Sequence, residues 1–470
     1  HHDFTHWSRI ASLCLGPLLG VLAFLLVGDV PLEQLPADGR VMLGLFVLAA
    51  VYWITGAIPP FATGLLVIGI GALLIGLPAE SGRPFDAPAG ESHIRGWTDF
   101  ISPAAAPVVV LMLGGFVLSH ASHVTGIDRL MARWVLRPFA GSPRGLVLGV
   151  LVVSGGLSMW MSNTATAAMV TVMLTPIIER LGPGGSRFGR GLMLAVPIGA
   201  NLGGIGTPIG TPPNAIVFGA LRAAGVDITF LDWMLFAVPL TAVLLLLAWG
   251  VLVLLYPPEP GLRVSLDEIK PDPRDLTVRT WVAGVTFLVT VGLWVTGPWT
   301  GIPIGATALV PLVVFPACGL LSAAQVNQLE WNILLLIAGG LALGKGMEDT
   351  GLASWMVAAA PIDGLPPVAV LSALLGASLL LSTVMSNTAT ANLLAPIALG
   401  AAASVGLGDT QVGVAVALGA SLAMGLPVST PPNAIAFSSG CVSATDFLKA
   451  GGLIGLVGGV LGVIVCAVAL

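Results

Sequence analysis

The chain has 470 residues, 56% of them hydrophobic and only 9% charged, with a formal net charge of -5. A soluble domain of this length cannot present such a surface, so the composition excludes soluble enzymes and nucleic-acid-binding modules. Apolar runs long enough to cross a bilayer recur throughout, and none shows the ten-residue alternation of an outer-membrane barrel. The expected fold class is therefore all-α and polytopic, with about 11 transmembrane segments. The four cysteines, Cys14, Cys318, Cys441 and Cys466, are scattered through apolar segments without metal or disulfide spacing. No cleavable signal peptide is evident, and His1-His2 reads as a tag remnant.

In chain order, a first span covers about Ile10 to Val27, followed by a polar loop from Gly28 to Arg40. Two more spans, Val41 to Ile58 and Pro59 to Leu77, nearly touch at Pro59-Pro60. Pro78 to Asp99, rich in Pro, Gly and charge, is expected outside the membrane. From Pro103 the chain turns apolar, then amphipathic, with Arg129, Arg133 and Arg137 on one helical face, a pattern that suits a helix at the lipid headgroups. His120 and His123 lie in the same stretch and read as part of an ordinary polar face.

Gly145 to Ile178 follows, with basic residues (Arg144, Arg180) at both ends and a polar tip near its middle, which predicts a re-entrant hairpin. Gly191 to Leu221 is interrupted by Gly203-Gly-Ile-Gly-Thr-Pro-Ile-Gly-Thr-Pro-Pro-Asn214, whose glycines and prolines cannot continue a helix. This span is predicted to break in mid-membrane. A full span from Trp233 to Tyr256 precedes a charged linker, Pro257 to Arg279. The order then repeats: spans at about Trp281 to Val295 and Pro303 to Leu321, a second hairpin at about Pro367 to Ala403, a second broken span, and a last helix from Gly451 to Leu470. Gly114-Gly115 with Thr125-Gly126 returns as Gly339-Gly340 with Thr350-Gly351.

Two motifs are written twice, in the same order. Ser158-Met-Trp-Met-Ser-Asn-Thr-Ala-Thr166 matches Ser382-Thr-Val-Met-Ser-Asn-Thr-Ala-Thr390, and Gly210-Thr-Pro-Pro-Asn-Ala-Ile216 matches Ser429-Thr-Pro-Pro-Asn-Ala-Ile435. One Ser or Asn in a membrane helix reads as interhelical glue. Matched hairpins and matched breaks instead point to an internal repeat with one composite site between its halves. Eleven of the eighteen basic residues lie between Arg129 and Arg190 or in the linker, which places those segments in the cytoplasm. The second hairpin lacks basic flanks and is expected to enter from the other side, so that the repeats are inverted.

Hydroxyls, amide oxygens and freed backbone carbonyls are the ligands a small hard cation needs, and half-helix N-termini beside them suit an anion. No Lys or Arg occurs between Lys345 and Lys449, and Gly191 to Leu221 carries no charge. An anion bound there must be neutralised by cations bound beside it, which is symport. An intramembrane enzyme would need ionisable groups at the site, and the acids nearest the motifs in the chain, Glu179 and Asp409, lie at predicted membrane edges. A channel is set apart from a carrier by saturable, counterflow-capable uptake. Lys345, with Glu348 one turn on, reads as a structural pair.

The doubled Ser-Asn-Thr motifs, the doubled Thr-Pro-Pro-Asn loops and the Gly-Gly-Leu-Ala-Leu-Gly-Lys345-Gly stretch resemble the divalent anion/sodium symporter family, bacterial dicarboxylate branch, over nearly the whole chain from about Val41. The resemblance implies a homodimeric elevator-type transporter in the bacterial inner membrane, embedded in lipid, importing a small dicarboxylate with sodium and needing no organic cofactor. It divides the chain into scaffold (1-143 and 281-366), transport domain (144-256 and 367-470) and a linker, 257-280. It implies a first sodium site at Ser158, Ser162, Asn163 and the backbone of Gly210, and a second at Ser382, Ser386, Asn387 and the backbone of Ser429. Substrate carboxylates would meet Ser162, Asn163, Thr164, Ser386, Asn387 and Thr388, with Thr211, Pro212, Thr430 and Pro431 as the floor. Ser382 and Ser429 depart from the Thr and Ala expected there, yet both keep the needed oxygens. A sodium-independent exchanger and a citrate or sulfate carrier of the same fold remain the alternatives.

Overall fold

The computed structural model describes residues 2–26, 35–81, 93–139, 141–180, 186–259, 277–359 and 364–470, with side chains from residue 13 onward. Among these residues the chain is helical, with no strand. Eight helical stretches are long and apolar enough to cross a membrane, and Leu13–Leu25, Pro143–Ser158 and Ile304–Ala317 are shorter apolar helices.

The first half opens with α1 (His2–Leu26) and α2 (Ala37–Thr55). Next, α3 (Pro60–Gly71) continues through a π-turn into the short α4 (Leu77–Glu80), and a single turn, α5 (Thr98–Ile101), leads into α6 (Pro107–Thr125). The amphipathic α7 (Ile127–Leu136) carries two of the three predicted arginines, and Arg137 begins the turn that follows it. His123 Nδ1 meets Asp128 Oδ2 at 3.1 Å, so this histidine is engaged in a local hydrogen bond.

The predicted hairpin is α8 (Pro143–Ser158) and α9 (Asn163–Arg180), joined by a four-residue tip. The predicted broken span is α10 (Arg187–Gly204) and α11 (Pro212–Ala223); α12 (Phe230–Leu255) then crosses in one piece. Most of the expected linker, residues 260–276, lies outside the described residues, as do 82–92 of the expected first extramembrane loop.

The second half repeats the order with α13 (Val278–Val295), the single turn α14 (Gly297–Thr300), α15 (Ile304–Ala317), the single turn α16 (Ala323–Val326), α17 (Trp331–Asp349) and α18 (Leu352–Ala359). Its hairpin is α19 (Pro367–Val384) with α20 (Asn387–Ala402). Its broken span is α21 (Asp409–Leu422) with α22 (Pro431–Ser438), and α23 (Ala444–Val468) closes the chain.

The halves interlock by making the same contacts twice. In one, α3 packs on α17, where Gly64 lies so close to Gly339 that a Cβ on Gly339 would sit 2.2 Å from Gly64 Cα. In the other, α15 packs on α6, and a Cβ on Gly114 would sit 2.8 Å from the Ala308 carbonyl. Gly339 and Gly114 are the matched glycines of the repeat, so each half lends its glycine helix to the other. Likewise α11 packs on the second hairpin through α20, and α22 packs on the first through α9. Small residues at such crossings let backbones approach, which is how membrane helices associate when lipid removes the hydrophobic drive.

Away from the centre, Tyr256 donates to Asp446 Oδ1 at 2.7 Å and ties the end of α12 to α23.

Substituting Gly339 by Ala should lower stability by about 1–3 kcal/mol, because backbone must move to admit the methyl group. Gly250→Ala, where a Cβ meets open space, should leave thermal stability in detergent near that of the native protein. Equal melting temperatures for both variants would argue against the glycine crossing.

Candidate functional site

Each hairpin tip is held by the first serine of its motif. Ser158 Oγ donates to Asn163 Oδ1 across the first tip, and Ser382 Oγ to Asn387 Oδ1 at 2.7 Å across the second. Ser382 also reaches the Ala420 carbonyl at 3.0 Å on α21, so the second tip is fastened to the second broken span. Thr207 on the first break donates to the Met159 carbonyl and fastens the first tip in the corresponding way. Both serines are wholly buried.

The two breaks are held by the asparagines of the Thr-Pro-Pro-Asn motifs. Asn214 Nδ2 donates to the carbonyls of Gly204 (3.0 Å), Ile205 (3.0 Å) and Thr207 (2.8 Å). Asn433 Nδ2 does the same for Met424 (3.0 Å) and Leu426 (2.8 Å). Pro212 and Pro431 each open the following half-helix, where a missing N–H costs nothing. Trp233 adds a bond to the Ile205 carbonyl at 3.1 Å. Each break is thus a fixed structure with its carbonyls aimed by one amide.

Around the first tip the oxygens converge. A Cβ placed on Gly204 would lie 2.9 Å from Asn163 Oδ1 and 3.1 Å from the Gly210 carbonyl, and a Cβ on Gly210 would lie 2.4 Å from the Gly204 carbonyl. Only glycines leave room for this cradle of amide, hydroxyl and carbonyl oxygens, a donor set that suits a hard cation such as sodium. Asn214 Oδ1 is buried without a hydrogen-bond partner among the described residues.

The tips and breaks meet in a cavity of about 710 Å³. Its lining includes Ser162, Asn163, Thr164, Gly210, Thr211 and Pro212 from the first half, and Ser386, Asn387, Thr388, Ser429, Thr430 and Pro431 from the second. Every residue expected to touch substrate therefore faces one space. Four helices, α9, α11, α20 and α22, begin at or beside this lining, so their N-terminal amides and positive dipole ends are directed toward it. The lining also takes in Trp53, Thr55, Phe61, Phe116, Glu330, Asn332 and Leu336.

Two lining residues escaped the sequence motifs. Asn201 on α10 donates to Thr430 Oγ1 and to Asn433 Oδ1, each at 3.1 Å, tying the first broken span to the second. Glu330, at the start of α17, accepts a 3.0 Å hydrogen bond from Ser162 Oγ. The expectation that no acid stands at the site is thereby corrected. Glu330 lies far from the first motif along the chain and is brought to its tip by a fold contact spanning 168 residues. An acid just ahead of the largely apolar run from Trp331 to Gly344 was the available signal.

Lys345 is absent from this cavity. Its amine pairs with Asp349 at 2.6 Å one turn on, in place of the expected Glu348, and both line a separate cavity of about 420 Å³.

With this geometry in view, comparison with known proteins decides the lineage. The family model described as "Citrate transporter" (CitMHS) matches residues 50–419. The chain belongs to this transporter family. An uncharacterized transporter of Haemophilus influenzae is 30% identical, covering 93% of this chain and 92% of its own. The sodium-dependent dicarboxylate transporter SdcS of Staphylococcus saprophyticus is also 30% identical, over 94% of this chain and 88% of its own, and that of Staphylococcus aureus 29%, over 97% and 90%. Among solved structures, the Alcanivorax borkumensis YdaH transporter and Neisseria gonorrhoeae MtrF share the fold, each with a TM-score of 0.59 at 14% identity. They cover 88% and 87% of this chain, and the matches take in 99% and 95% of theirs. The chain is thus a multi-pass integral membrane protein and a secondary transporter of the divalent anion/sodium symporter type.

Two outcomes test the site. Asn214→Ala removes the amide shared by three buried carbonyls, of which Ile205 keeps its bond from Trp233 and Thr207 its bond from the Gly210 amide, and at about 1–3 kcal/mol for a buried group left unsatisfied it should lower thermal stability. Lys345→Gln should bind substrate like the native protein, since Lys345 lies outside the cavity. A folded Lys345→Gln protein that has lost binding alone would contradict this placement.

Proposed function

We propose that this chain imports C4 dicarboxylates of the succinate, malate and fumarate class together with sodium ions. The observation that carries the reading is the pair of Ser–Asn tips, Ser158 with Asn163 and Ser382 with Asn387, flanking a cavity lined by no lysine or arginine. A dianion there is left with helix N-termini and neutral donors, beside one acid, Glu330. Uncompensated charge in such a setting costs on the order of several kcal/mol per ion even after relaxation. One sodium behind each tip supplies the compensation.

In this reading the first ion is held by Ser158, Ser162, Asn163 and the Gly210 backbone, and the second by Ser382, Ser386, Asn387 and the Ser429 backbone. The substrate carboxylates take hydrogen bonds from Thr164 and Thr388 and from the amides at the tips. The hairpins and broken spans (144-256 and 367-470) move as an elevator against a scaffold of 1-143 and 281-366, which pairs as a homodimer. The dicarboxylate named for the staphylococcal relatives supports the substrate class, and their sodium dependence supports the coupling.

Proteoliposomes with an inward sodium gradient should accumulate labelled succinate, and those with potassium or choline at equal ionic strength and pH should not. Asn163→Ala and Asn387→Ala should each raise the sodium concentration for half-maximal uptake. Thr164→Val and Thr388→Val should each raise the apparent KM for succinate, at about 1–3 kcal/mol per unpaired substrate oxygen. Uptake that is equally fast without sodium would contradict symport and favour the exchanger.

A further inference from the structure

The two hairpin tips carry the same motif but differ in what their second serines are bonded to. On the first tip, both donors of Ser162 are already taken. Its Oγ donates to Glu330 Oε1 at 3.0 Å and its backbone N–H to Ser119 Oγ at 3.3 Å. A serine hydroxyl has one proton and two lone pairs, so Ser162 offers the cavity lone pairs and no hydrogen. On the second tip, Ser386 Oγ accepts from the Ala389 amide at 3.1 Å, in the manner of a helix cap. Neither the O–H nor the N–H of Ser386 has an acceptor among the described residues, and the residue is exposed at the cavity.

We propose that the tips divide the work: Ser162 serves only the cation, Ser386 donates hydrogen bonds to a substrate carboxylate, and Glu330 is the positioning residue that fixes this split. The inference rests on the sodium and dicarboxylate reading above and assigns the donors within it. Lone pairs turned toward the tip are what a hard cation needs, and a carboxylate, itself an acceptor, gains nothing from them. Charge acts in the same direction. A cation roughly 2.4 Å from Ser162 Oγ stands within about 6 Å of the Glu330 carboxylate. Opposite charges at that distance and an effective dielectric of about 20 attract enough to tighten binding about 100-fold, or about tenfold with partial screening. A substrate carboxylate in the same place is repelled by as much until that cation is bound. Glu330 is the only charged residue lining the cavity among the described residues, so the second tip has no acid of its own. Ser119 and Glu330 both lie on the scaffold of that reading, so the split belongs to the conformation in which scaffold and first tip meet.

The test is equilibrium binding of labelled sodium and of labelled succinate to the purified protein, the succinate arm at saturating sodium. Ser162→Ala should weaken one sodium site by about tenfold and keep succinate affinity within about threefold of native. Ser386→Ala should weaken succinate binding by about tenfold or more. Glu330→Gln should weaken the same sodium site as Ser162→Ala by about tenfold, and Glu330→Asp, which keeps the charge, should stay within about threefold of native. Should Ser162→Ala not fold, Glu330→Gln reads the same split, with sodium binding weakened and succinate binding kept. Equal losses of succinate affinity in Ser162→Ala and Ser386→Ala overturn the split, and so does a Glu330→Gln protein that binds sodium like the native one. Either result leaves the symport reading standing. Native protein that binds no sodium, or no succinate at saturating sodium, overturns that reading and the split with it.

Discussion

A helix that stops inside a membrane must find partners for its backbone, and this constraint shapes the centre of the protein. Each unsatisfied group in hydrocarbon costs several kcal/mol, so an unwound stretch survives only if the protein supplies what water cannot. Here one asparagine per repeat does most of that. Asn214 turns the carbonyls of Gly204, Ile205 and Thr207 toward its amide, and Asn433 those of Met424 and Leu426. Once the breaks are fixed, the remaining oxygens and the fresh helix N-termini stand free for ligands. The binding chemistry is thus a by-product of solving a backbone problem.

The repeat architecture then determines where those ligands meet. Because α11 packs on the second hairpin and α22 on the first, the breaks and tips are brought to one cavity that neither half could form alone. Asn201 sharpens this dependence, since an α10 side chain holds both Thr430 and Asn433 of the other repeat. The glycine crossings at Gly64 with Gly339 and at Gly114 with Ala308 hold the surrounding helices close enough for that meeting.

Much of this was legible in the sequence. Doubled motifs marked the hairpins to within a few residues, because a polar tip between apolar arms and a Gly/Pro break have few other readings in a bilayer. All the residues expected to touch substrate line the cavity, since a repeat with a shared site forces its copies together. What stayed hidden is what depends on packing between distant segments. Glu330 reaches Ser162 only because α17 folds over the first tip, and nothing near either motif hints at it. Asn201 lies in the predicted broken span just ahead of the break, outside either doubled motif. The partner of Lys345 was misassigned between two adjacent acids because i+3 and i+4 positions flank the same helical face, and the actual pair is with Asp349.

The central claim is that each Ser–Asn tip holds its own cation. It is tested most directly by counting labelled sodium ions bound to the purified protein at saturation. The account predicts at least two per chain, falling by one in Asn163→Ala and by one in Asn387→Ala. A protein that binds no sodium, or a count that neither substitution changes, would contradict it.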